Sequence, residues 1–322
     1  MAIVTNTFTR YSAIGIRESL QDVIFNISPE DTPFVSNMSK KRTVRNTFFE
    51  WQTDELAAAA SNAQIDGDEA TFSAVTPTVR LGNYTQILRK TVVIADNLTG
   101  AIDEAGRRSE LALQISKQGA ELRRDLEYNL CGLNQAAVAG NNTTARKTAS
   151  LSAFLRTNTS RGSSGADPTV SSGVVNAAAT DGTQRAATEA LLKSVLSSVW
   201  TEGGNPKFLM VGSFVKQAVS AFAGIAAQRY NATGDSPSTI IGAADVYVSD
   251  FGNLSIVPNR FSRSRDAYVI DPDLVQLATL RPMQSTELAK TGDATKHLIL
   301  MEAGLQVDQQ KGLGVVADLS TS

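Results

Sequence analysis

Histidine and cysteine are nearly absent from this sequence: 322 residues include one of each, His297 and Cys131. A lone cysteine excludes any disulfide within the chain and suits a reducing cytoplasm. One histidine without cysteine or a paired carboxylate near it makes a poor zinc site and a poor general base. His297, in the stretch Lys296-His297-Leu298-Ile299-Leu300, reads as a structural or surface residue, and Cys131 as a small packed one.

A surplus of either charge is missing too, with 30 Lys and Arg against 32 Asp and Glu. A protein that grips nucleic acid through phosphates carries a basic surplus, because each phosphate contact needs a cation. No apolar run approaches the ~20 residues that cross a bilayer. The opening Met1-Ala2-Ile3-Val4-Thr5-Asn6 lacks the basic stretch and apolar run of a secretion signal, so no membrane partner is expected. No phosphate loop of the form G-x-x-x-x-G-K-[ST] occurs. Ser213 follows a strand pattern and precedes a helical one, where a hydrolase nucleophile would sit. Yet Val211-Gly212-Ser213-Phe214-Val215 lacks the second glycine of a nucleophile elbow, and Ser213 reads as a helix cap. No enzyme, metal or cofactor is expected; a cytoplasmic hydrolase using Ser213 and His297 is the lesser alternative.

What is present is an ordered protein, 42% hydrophobic and 19% charged, long enough for one large domain or two closely connected ones. Residues 1–45 begin polar, carry a short amphipathic pattern (Ile14, Ile16, Leu20, Val23, Ile24), and pass Pro29 and Pro33 to the basic run Lys40-Lys41-Arg42 and Arg45. This reads as an arm lying across something else. Residues 43–53, with Phe48, Phe49 and Trp51, read as a strand, and 79–94 as a longer one. Between them lies a polar tip with Asp54, Glu55, Asp66, Asp68 and Glu69. Two long strands joined by a wide acidic loop are unstable alone in water and need a partner surface. The tip lacks the ligand alternation of a calcium loop. It is expected to pair across subunits with Lys40, Lys41, Arg42, Arg45, Arg89 or Lys90.

The strongest helical signal spans 103–133. Leu111, Ile115, Leu122, Leu126, Leu130 and Leu133 form one apolar stripe, with Glu110, Lys117, Glu121, Arg124 and Glu127 opposite, and Gly132 as a stop. Arg107, Arg108, Arg123 and Arg124 are expected to pair with neighbouring carboxylates rather than with DNA. Residues 134–183, rich in Ser, Thr, Asn, Gly and Ala, read as a surface extension, with an inserted β-hairpin as the alternative. From 186 onward the pattern is α/β. A helix over 187–200 and the short buried strand 207–211 are followed by a helix through Phe222. Strands are then expected at 245–251, 254–258, 267–271, 274–281, 296–301 and 304–308.

Two stretches carry a family resemblance. Arg107-Arg108-Ser109-Glu110-Leu111-Ala112-Leu113-Gln114-Ile115, running into Glu121-Leu122-Arg123-Arg124-Asp125-Leu126-Glu127, resembles the spine helix of tailed-bacteriophage major capsid proteins of the Hong Kong 97-type fold. Asn205-Pro206-Lys207-Phe208-Leu209-Met210-Val211-Gly212-Ser213-Phe214-Val215-Lys216-Gln217 resembles the strand and helix of that fold's axial domain. The resemblance implies an α+β architecture: N-terminal arm (1–45), E-loop hairpin (46–95), peripheral domain with the spine helix (96–185), axial domain (186–275), and a return to the peripheral domain (276–322). It implies a subunit assembled in the host bacterial cytoplasm through hexamers and pentamers into an icosahedral head. The expected partners are sister subunits, a separate scaffolding protein, a portal, and packaged double-stranded DNA touched weakly on the inner face. An encapsulin-like shell around protein cargo is the runner-up. Phe48, Phe49 and Trp51 are the expected anchors between subunits, so that Trp51→Ala should harm shell yield more than subunit solubility.

Overall fold

A computed structural model describes residues 31–69, 72, 74–100, 109–222 and 245–321, with backbone only at 99 and 100. The chain enters through α1 (Pro33–Asn37), β1 (Lys40–Thr43), β2 (Phe48–Thr53), β3 (Val79–Tyr84), β4 (Gln86–Ala95), α2 (Asp96–Gly100) and the long α3 (Glu110–Glu127). It continues through α4 (Leu151–Phe154), β5 (Thr159–Ser160), β6 (Thr169–Ser171), β7 (Val174–Ala177), α5 (Glu189–Thr201), β8 (Phe208–Val211) and α6 (Ser213–Ser220). It closes with β9 (Val246–Ser249), β10 (Gly252–Pro258), β11 (Ala267–Ile270), β12 (Val275–Leu288), β13 (Ala294–Val307) and β14 (Gly314–Val316). Among the described residues the strands form three sheets, ordered β1-β12-β13-β4, β5-β14-β11-β8-β10-β9 and β2-β3-β7-β6. None of the described helices is long and apolar enough to cross a membrane.

Ser109 starts α3: its Oγ accepts from the N–H of Ala112 at 3.3 Å, and Glu110 sits in the first turn where the helix dipole favours a carboxylate. The leucine stripe sinks into the core along the helix. Leu111 and Ile115 are half-buried; Leu122, Leu126 and Leu130 are buried. The α-helix covers 18 residues rather than the expected 103–133, and gives way to a π-helical turn at Tyr128–Gly132. Arg107 and Arg108 lie outside the described residues. Gly132 ends the rod through lack of space, since a Cβ there would run into the Phe261 carbonyl and the Tyr128 ring. Gly132→Ala is therefore expected to cost about 1–3 kcal/mol of subunit stability. A denaturant titration that shows no loss would mean the Phe261 loop yields freely.

Lys90 of β4 ties α3 to the four-stranded sheet, reaching Asp125 at 2.9 Å and Glu121 at 3.5 Å. That sheet is built on β12 and β13, 14 residues each and so ~45 Å long. The expected strands at 296–301 and 304–308 are one strand, β13. Gly304 does not break it, because the Phe49 ring and the Tyr84 carbonyl occupy the space a side chain would need, each 2.9 Å from where a Cβ would stand. The expected long strand 79–94 is instead two. β3 pairs with β2 from Phe48↔Tyr84 to Thr53↔Val79, whereas β4 pairs with β13 from Ala294↔Ala95 to Ala303↔Gln86. The switch falls at Thr85, whose N–H donates to the Thr47 carbonyl (2.8 Å) and whose hydroxyl donates to Glu302 Oε1 (2.7 Å).

Residues 134–183 are a surface extension only in part: 141–145 and most of 163–177 lie at the surface, but the middle of the segment does not. Residues 148–155 are buried without interruption, and their small polar side chains are spent on internal bonds. Thr148 Oγ1 accepts from Asn83 Nδ2 (3.0 Å) and from the Leu305 N–H (3.1 Å), and Ser150 Oγ accepts from the Gln135 N–H (3.0 Å). The alternative hairpin does exist as β6–β7, turned by Ser172 (φ 50°) and Gly173 (φ 81°), the left-handed pair that a tight hairpin requires. A buried charge cluster pins this segment: Asp318 accepts from the N–H groups of Gly162 (2.9 Å) and Gly182 (2.8 Å) and pairs with Arg265 (2.7 Å). In the six-stranded sheet, β8 is wholly buried, and Leu192, Val195 and Val199 of α5 and Val215 and Val219 of α6 pack with Leu209 and Val211. Gly212, not Ser213, is the N-cap of α6; Ser213 is its first helical residue and makes no capping bond. Both β5 and β14 join this sheet, so it draws strands from outside 186–275.

Candidate assembly interface

The loop between β2 and β3, residues 54–78, stands away from the rest of the chain. Its described residues are all exposed, and they include large apolar side chains: Leu56 is 99% exposed, Phe72 97%, Val75 92% and Ile65 83%. Water is a poor environment for such groups, and several on one loop make it a candidate contact surface. The same loop carries Asp54, Glu55, Asp66, Asp68 and Glu69 and no Lys or Arg. Its foot is fastened by Glu55, which pairs with Lys311 at 2.7 Å; Lys311 also holds Glu202 at 3.0 Å. Among the described residues Asp66, Asp68 and Glu69 form no ion pair. The loop thus pairs exposed apolar anchors with uncompensated negative charge.

The anchors expected from the sequence lie elsewhere. Phe49 (5% exposed) and Trp51 (9%) are buried in the chain's own core, with their rings 5.9 Å apart and Trp51 6.1 Å from Phe154. Phe48 is half-buried against Tyr84 at 4.8 Å. Alternation along β2 turns Phe49 and Trp51 inward, into the core of their own chain. The large apolar side chains that the loop of the same hairpin leaves exposed are Leu56, Ile65, Phe72 and Val75. No sequence signal announces them, because single apolar residues spread through an Ala-, Asp- and Thr-rich run show no periodicity.

The basic candidates divide. Arg42 Nη1 donates to Gln306 Oε1 at 2.8 Å, and Lys40 Nζ donates to the Asp273 carbonyl at 3.0 Å. Lys90 is committed to α3, and its hydrogen bond to Asp125 raises its pKa above the ordinary lysine value. Lys41, Arg45 and Arg89 are exposed and form no ion pair among the described residues. Arg124 lies over the Phe261 ring at 5.8 Å and forms no salt bridge among the described residues. Cys131 is buried, and burial, then the nearby Glu127 charge, push its thiol well up, as suits a packed, unreactive residue. His297 is half-exposed on β13, its Nδ1 3.4 Å from Ser285 Oγ. Ser213 belongs to α6 against a different sheet, so the hydrolase pair is not assembled. Among the described residues no cluster of three or more His, Cys, Asp or Glu could hold a metal ion.

A long helix against a sheet of extended strands, a second α/β sheet and a projecting loop define a shell-forming subunit of the phage-capsid fold. The structure is similar to the capsid asymmetric unit of cyanophage A-1(L), with a TM-score of 0.73, 11% identity, and coverage of 99% of this chain and 100% of that one. It shares the fold less closely with the holo-SrpI encapsulin complex of Synechococcus elongatus PCC 7942, with a TM-score of 0.56, 10% identity, and coverage of 97% and 95%. In sequence it is 30% identical over 347 residues to the major capsid protein of Escherichia phage Phieco32, with 96% of each chain covered. The model of the SU10 major capsid protein family matches residues 3–320, and the chain belongs to that family. It is a structural component of the virion, the major capsid protein of a tailed phage that forms an icosahedral capsid.

Proposed function

We propose that the subunits assemble through hexamers and pentamers, laced together by the loop 54–78. The observation that carries this is the exposure of Leu56, Ile65, Phe72 and Val75 on a loop that its own chain leaves uncovered. Burying them against a sister copy recovers the hydrophobic free energy that the isolated subunit forgoes. The surrounding carboxylates set register against a basic surface, to which Lys41, Arg45 and Arg89 are candidate contributors. This reading keeps the arm (1–45), loop hairpin (46–95), helix-bearing peripheral part (96–185), axial part (186–275) and returning tail (276–322) as working units.

In this reading assembly takes place in the host cytoplasm, with a scaffolding protein and a portal as partners, and the role is structural rather than catalytic. Double-stranded DNA is the content. The near balance of charge, 30 cations against 32 anions, supports weak wall contact that lets DNA slide during packaging. Electron microscopy and nuclease protection of purified particles test this. Closed shells holding protected DNA are the expected result; shells holding a protein cargo would overturn the DNA content, and absence of shells the whole reading.

Changing Asp66, Asp68 and Glu69 to their amides together is expected to slow assembly about tenfold at low ionic strength and to matter little at high salt, because exposed charges steer association and are screened. Light scattering follows this directly. Equal rates at all salt concentrations would remove the charges from the interface.

A further inference from the structure

The carboxylate of Glu127 is fully buried where three parts of the chain meet. Its Oε1 accepts from the N–H of Phe34 (2.7 Å) and from Asn259 Nδ2 (2.7 Å), and its Oε2 accepts from the N–H of Val35 (2.9 Å). Phe34 and Val35 form the root of the arm in α1, Glu127 ends α3, and Asn259 follows β10 in the six-stranded sheet. One side chain therefore joins arm, rod and second sheet.

All three partners are neutral N–H donors, and among the described residues no cation pairs with the charge: burial pushes the carboxyl up, and these hydrogen bonds pull it back. A leucine or methionine at a buried site needs no such support, and a buried charge without a counter-ion is a weak way to gain stability. It has a different consequence. Opening an apolar contact exposes oily surface and costs free energy, whereas opening this one returns the carboxylate to water and recovers hydration. Closed and open arrangements are brought closer in free energy. Two features at the same place fit a movable joint. The π-helical turn begins at the next residue, Tyr128, and such turns recur at functional sites. The Cys131 carbonyl within that turn accepts from the Arg263 N–H at 3.3 Å, linking it to the loop that Asn259 begins.

We propose that Glu127 is a latch that fastens the arm root and the loop after β10 to the end of the long helix and releases them together. The use of such a latch, repositioning the arm as a shell is built, rests on the shell-building reading. The latch itself is tested on the unassembled full-length chain, so its failure and that of the shell reading are distinguishable.

The test is hydrogen exchange of the Glu127→Gln variant. A glutamine has one acceptor oxygen, so whichever way it turns its amide nitrogen faces an N–H donor. Exchange over 33–44 and over 259–263 is expected to rise together, each at least about tenfold, while β12 and β13 keep their protection. Should Glu127→Gln fail to fold, Glu127→Asp keeps the charge but withdraws it by one methylene, and the same paired rise is expected at smaller size. Acceleration throughout the chain, in one of the two segments alone, or in neither would overturn the proposal.

Discussion

Replacing Leu56, Ile65, Phe72 and Val75 together by serine is expected to abolish shell formation while leaving the subunit's thermal midpoint within about 2 °C of its original value. The asymmetry follows from where these side chains are. Each is at least 83% exposed in the isolated chain, so their removal deletes little intramolecular contact. In an assembled interface each would be worth roughly 1.5–3 kcal/mol on burial. Even the low end for four residues reaches ~6 kcal/mol, about four powers of ten in an association constant. Particle yield is read by sedimentation and electron microscopy, stability by calorimetry on the unassembled variant. Normal yields would show that the loop does not hold the shell together, and a collapsed melting temperature that it packs on its own subunit.

The elements legible in the sequence are those whose burial follows a regular period. The stripe from Leu111 to Leu130 marked α3, and the apolar run at Phe208–Val211 marked β8, because each faces a single continuous core. Legibility failed where burial is not periodic. The far half of β12 is strand by pairing alone: Gln284, Ser285, Thr286 and Glu287 are all exposed, and only their ladder with Leu300, Ile299, Leu298 and His297 holds them extended. Residues 148–155 failed in the opposite way, since Thr148, Ser150 and Ser152 read as solvent-loving but are buried and bonded internally. Glu127 appeared as one more charge on the outer face of an amphipathic helix. Its partners are 92, 93 and 132 residues away, and no local pattern announces them. Asp318 was silent for the same reason, its glycine partners lying 136 and 156 residues back.

Those distinctions reverse the expected outcome at Trp51. Because its ring lies in the subunit's own core beside Phe49 and Phe154, Trp51→Ala is expected to remove about 3–5 kcal/mol from folding stability, a large share of the ~5–15 kcal/mol that a domain holds. Subunit solubility then fails first, and shell yield falls only as its consequence. The indole adds a further distinction: Trp51 Nε1 is buried without a hydrogen-bond partner among the described residues, and an unsatisfied buried donor costs about 1–3 kcal/mol. Trp51→Phe removes that donor and keeps most of the apolar volume, so it should cost far less than Trp51→Ala. Denaturant titrations of the two variants, set beside their particle yields, separate core from interface. A Trp51→Ala subunit as stable as the original but unable to form shells would place the ring at the contact between subunits after all. Loss of stability in step with lost volume places it where the β2 alternation does, inside its own chain.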